Sequence, residues 1–99
     1  MSSDLQLMLS KANTAYARAK PEKAAELYAR ASELDSSCVV ARFWHGTSLC
    51  QIGANMLERK EDAAPTFHAA EEVFAALHDL DVMYGENGLA QIARCEALR

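Results

Sequence analysis

The sequence predicts an all-α fold built from antiparallel helix-turn-helix units. Three observations carry this reading. Ala24, Leu27, Tyr28, Ala31 and Leu34 stand at i, i+3, i+4, i+7 and i+10, which places them on one helical face. Small residues at Ala12, Ala15, Ala24 and Ala31 let paired helices approach closely. The stripes are separated by short breaks, Lys20-Pro21 and Asp35-Ser36-Ser37, that end one helix and start the next.

The first helix is expected over 3–19, opened by a Ser3-Asp4-Leu5-Gln6 capping box. Its apolar side is Leu5, Met8, Leu9, Ala12, Tyr16 and Ala19. Pro21 disfavours helical conformation at Lys20 and suits the first position of a second helix, expected over 21–34. Ser36 or Ser37 can cap a third helix, over 37–53, that stops at Gly53. Residues 54–62 then form an insertion, in which Met56-Leu57 extend the preceding helix or pack as a lid. Asp62 can cap a fourth helix over 63–79, with Pro65 tolerated in its first turn. A fifth helix starts at Met83 or only after Asn87, because Gly85 and Gly88 are poor helix interior. Leu89, Ile92, Ala93 and Leu98 are its apolar stripe.

Some of these positions repeat. Gly46 and Gly53 stand about 34 residues after Ala12 and Ala19, the period of one helical-repeat family. Ala24, Tyr28, Ala31 and Leu34-Asp35 carry the second-helix signature of that family, so the stretch 12–37 resembles a tetratricopeptide repeat. Ala15, Lys11 and Ser36 depart from the pattern, where an aromatic, a Leu and a Pro are usual. The resemblance implies one domain over 1–99, with a first repeat about 5–38, a second about 39–82 and a terminal helix about 83–99. The second repeat aligns through Ala70, Phe74 and Leu80-Asp81, with about twelve residues inserted, or through Ala63, Phe67 and Ala70, with about five.

Composition limits the function. A chain of 99 residues with 51% apolar content is globular rather than disordered, and can bury a small core. A net charge of −4 argues against general nucleic-acid affinity. No apolar run approaches the ~20 residues of a membrane span. The three cysteines, Cys38, Cys50 and Cys95, are odd in number and lack CxxC spacing, so a reducing, cytoplasmic setting is expected.

Chemistry-bearing patterns are few. His68 with Glu72, and Glu71 with His78, share one helix and could hold a metal, but a solvated polar face is the preferred reading. His45 reads as a hydrogen-bonded core histidine. It and Cys50 face differently on their helix, which argues against a thiol nucleophile. No phosphate loop, HExxH or nucleophile elbow occurs, so no enzyme activity, cofactor or metal is expected.

The functional expectation comes from the resemblance. In tetratricopeptide proteins the first helices line a concave groove. The matching positions here include Leu9, Asn13, Tyr16, Val40, Phe43, Trp44, Thr47 and Gln51. The best-known groove of the family clamps a carboxylate with Lys and Asn, as in cochaperones. Asn13 keeps one such residue, while Leu9 and Trp44 replace others. An apolar, aromatic groove for a peptide or helix of a partner protein is implied instead. Trp44 is expected to anchor the partner, the alternative being that Phe43 or Trp44 packs between repeats. Three other readings accompany this adaptor role. One is a structural cap or small subunit of a larger helical assembly, with self-association. Another is a module resembling the microtubule-interacting-and-trafficking domains. The most distant is an enzyme.

Overall fold

Every apolar stripe of the sequence forms a helix. The computed structural model describes residues 3–97 and contains five helices: α1 Ser3–Ala17, α2 Pro21–Leu34, α3 Val39–Glu58, α4 Ala64–Leu80 and α5 Val82–Ala97. No strand occurs among the described residues, so the all-α expectation holds. Leu98 of the expected α5 stripe lies outside the described residues. Consecutive helices pack on one another, and α3 packs on α2, α4 and α5.

The ends have local causes. α1 closes with a Schellman motif, in which Lys20 N–H donates to the Ala15 carbonyl and Ala19 N–H to the Tyr16 carbonyl, both at 3.0 Å. Ala19 takes the left-handed conformation that this motif requires, at φ 59°. Helix therefore stops at Ala17, two residues before the expected end. Pro21 then opens α2. α3 closes in the same way, with Lys60 at φ 59° and Glu61 N–H donating to the Met56 carbonyl.

Three boundaries correct the sequence reading. α3 does not stop at Gly53; it continues to Glu58, so most of the expected insertion is helix. A mid-helix glycine costs about 1 kcal/mol, and packing against Phe67 offsets it. The α3 N-cap is Cys38 without a side-chain cap bond, because Asp35 Oδ1 already accepts from Ser37 N–H and Oγ–H. α5 starts at Val82 and runs straight through Gly85 and Gly88. Asp81 Oδ1 accepts from Tyr84 N–H at its start.

Two buried clusters carry the core. Ala12, Ala15, Ala24, Leu27 and Tyr28 join α1 to α2. Cys50, Phe67, Phe74, Leu77 and Ile92 join α3, α4 and α5, with Ala63 and Ala70 filling between them. A Cβ on either Gly46 or Gly88 would fall within the Phe74 ring, so this ring is gripped between two glycines of different helices. Leu5, Ala31 and Ala41 seal the seam between α1, α2 and α3.

Asp35 and Asp81 are closely similar C-caps. Their φ, ψ values are −146°, 100° and −153°, 104°, and each N–H donates to the carbonyl four residues back.

Candidate partner-binding surface

An aromatic string crosses from α1 to α5. Tyr16 and Trp44 meet edge to face, with centroids 5.4 Å apart. Trp44 and Phe43 meet at 5.7 Å and 87°. Phe43 continues to Tyr84 at 5.3 Å and to Phe74 at 6.2 Å. Such tilted and edge-on pairs add about 0.5–1.5 kcal/mol each beyond burial. The string is therefore a stiff, preformed strip.

The strip is open on one side. Val40 is 53% exposed and Tyr84 46%, while Tyr16, Phe43 and Trp44 are half-buried. Trp44 packs against the Tyr28 cluster and Phe43 against the Phe74 cluster. Tyr16, Phe43 and Trp44 are thus partly packed and partly accessible, and Tyr84 is the most exposed ring of the strip. The Trp44 indole both closes the core and borders the strip.

The other groove positions hold different posts. Leu9 is half-buried and packs on both clusters beside α1, so it belongs to the seam. Asn13 is exposed, but its side-chain oxygen accepts the Tyr28 hydroxyl proton. Thr47 Oγ1 accepts from Gln91 Nε2 at 3.1 Å, tying α3 to α5. Exposed Gln51 donates to Asn55 Oδ1 at 2.9 Å. Beside them a pocket of ≈ 330 Å³ opens between Tyr16, Ala19, Pro21, Gln51 and Asn55. Tyr84 and Gln91 join the surface although the resemblance did not mark them as groove residues. Tyr84 is followed by Gly85 and Gly88, which made helix at its position hard to read from the sequence.

Electrostatics keep this surface neutral. Burial, with the nearby Cys50, pushes the Tyr16 phenol up. Burial, helped by Cys95, pushes the Cys50 thiol up to about 12, which removes the thiolate a nucleophile needs. His45 lines a cleft with Arg42, Ser32 and Glu72 between α2 and α4. Burial first, then Arg42, lowers its pKa, so it is neutral at pH 7. It forms no hydrogen bond among the described residues, which corrects its reading as a hydrogen-bonded core residue. His68 pairs with Glu72 at 3.0 Å on an exposed face. Among the described residues no three His, Cys, Asp or Glu converge on a metal position, and no helix is long and apolar enough to cross a membrane.

Comparison with protein-family models, with curated proteins and with solved structures finds no match to this chain.

Proposed function

We propose that this chain is a protein–protein interaction module that binds an apolar peptide or helix of a partner across the Tyr16–Trp44–Phe43–Tyr84 strip. The observation that carries this reading is the strip itself. Four rings from three helices are held edge to face, with the exposed Val40 beside them. Aromatic anchors of this kind dominate binding energies, and a preformed surface spends little entropy on ordering. Helix-in-groove recognition uses apolar side chains at i, i+3, i+4 and i+7, which suits a row of rings. We further propose a tetratricopeptide-like arrangement of the helices. It is supported by the matched Asp35 and Asp81 caps and by the shared Schellman ends of α1 and α3. We assign the chain no catalysis, cofactor or metal. Its three free thiols suit the reducing cytoplasm.

Selection from a displayed library of random peptides tests the proposal. Enriched sequences are expected to carry spaced apolar residues and to shift the Trp44 emission on titration. Trp44→Ala is expected to weaken their binding by about 30-fold, or ~2 kcal/mol. Because Trp44 also packs inward, Val40→Glu is the cleaner variant; it should weaken binding without changing the unfolding midpoint. Peptides that bind both variants as they bind wild type would show that the strip is not the site.

A further inference from the structure

The molecule is electrically lopsided. Five of its ten Lys and Arg, namely Lys11, Arg18, Lys20, Lys23 and Arg30, rim one cleft between α1 and α2. The cleft is about 500 Å³, and Met8, Ala15 and Leu27 contribute apolar surface to it. Arg30 also pairs with Glu26 at 2.8 Å, while the other four cations form no ion pair among the described residues. Six of the fourteen Asp and Glu lie between 71 and 96 in sequence, where Arg94 is the sole Lys or Arg.

The α4–α5 corner has the complementary chemistry. Its sequence is Asp79-Leu80-Asp81-Val82-Met83, with Glu86 one turn further on. Leu80, Val82 and Met83 are 45%, 55% and 72% exposed, so the corner presents an apolar knob among carboxylates. The carboxylates of the corner suit the basic rim of the cleft, and its apolar side chains suit the floor at Met8 and Leu27. Cleft and corner belong to different helical hairpins on α3, and α1 packs chiefly on α2. One copy therefore has both surfaces free for neighbours.

We propose that the α1–α2 cleft receives the α4–α5 corner of a second copy of this chain, in a head-to-tail contact. The two surfaces differ, so the contact is heterologous and propagates into rings or short filaments. Opposite charges steer the copies together and set their register. A long polyanion fits less well, since the acidic remainder of the surface repels it. This association uses neither Val40 nor Trp44, so it stands apart from peptide binding on the aromatic strip.

Sedimentation of the full chain from about 10 μM to about 1 mM tests it, since small polar contacts associate in that range. Species larger than monomer are expected at low salt, dissociating as added salt shortens the screening length. Lys11→Glu/Lys23→Glu and Asp79→Lys/Glu86→Lys are each expected to be monomeric and as helical as wild type. Mixed together they should associate again, because the acidic corner of the first meets the basic cleft of the second. Val40→Glu should sediment as wild type does. A wild-type chain that stays monomeric overturns the proposal, even if its cleft takes up anionic vesicles or an oligonucleotide. So does a mixture that stays monomeric, an oligomer that survives both reversals, or an oligomer lost on Val40→Glu.

Discussion

Tyr28 shows what one residue contributes. Its ring is 1% exposed and fills the space bounded by Ala12, Ala15 and Ala24, and its hydroxyl donates to Asn13 across the α1–α2 seam. Tyr28→Ala leaves a ring-sized cavity and is expected to lower stability by about 3–5 kcal/mol. Tyr28→Phe removes only the hydrogen bond and is expected to lower it by about 0.5–1.5 kcal/mol. Urea denaturation of the two variants separates these terms; equal midpoints for Tyr28→Ala and wild type would place the ring outside the core. Tyr28 and Ala24 were legible because helical spacing alone puts them on one inner face, whereas Phe74 and Phe67 were reached only through the resemblance. Trp44 was not legible from spacing. Its helix is packed by α2, α4 and α5, so its buried positions, Ala41, Gly46, Ser48, Cys50 and Gly53, do not form one stripe. No periodicity tells a half-buried ring from an outward one on such a helix.

The elements were legible in kind and number, less so at their ends. The helix start at Pro21 followed from local chemistry. The expected Asp62 cap is corrected: the N-cap of α4 is Ala63, and Asp62 Oδ1 only accepts from Ala64 N–H. The end of α3 and the start of α5 did not follow from local chemistry, because glycine acts there through tertiary contact. Gly85 illustrates the point. A Cβ at this position would run into the backbone of His78 on α4, which cannot move aside as a flexible side chain could. Judged by intrinsic propensity, Gly85→Ala should stabilise α5 by about 1 kcal/mol. The close crossing reverses the sign. Overpacking against a fixed backbone is expected to leave a net loss of about 1–3 kcal/mol. Thermal unfolding decides between the two, and a raised midpoint would mean that α4 and α5 lie further apart than the structure places them. A glycine that looks like a helix breaker in sequence is thus the residue that permits the α4–α5 hairpin.

At the scale of the whole molecule, the resemblance left α5 only as a terminal helix. The packing makes it integral. α5 supplies Ile92 to the larger core cluster and, through Gly88, one of the two surfaces that grip Phe74. Gln91 adds a hydrogen bond to Thr47 on α3. That dependence was invisible in the chain, since periodicity identifies a buried face without naming the helix that covers it. Removing 82–99 would expose Phe74 and one side of Leu77 and leave the α3–α4 pair with an open core. The α1–α2 cluster would survive, because Ala12, Ala24, Leu27 and Tyr28 are covered from their own hairpin. The truncated chain is therefore expected to keep much of its helical far-ultraviolet signal while losing near-ultraviolet structure around Trp44 and binding a hydrophobic dye, the marks of a loosely packed state. A truncated chain that unfolds as cooperatively as the full one, at the same midpoint, would show that α5 is a removable appendage. Repeat arrays in which each unit touches only its neighbours tolerate such trimming in proportion to the interface lost. Here Phe74 is held by α3 and α5 together, so the loss falls on three helices at once.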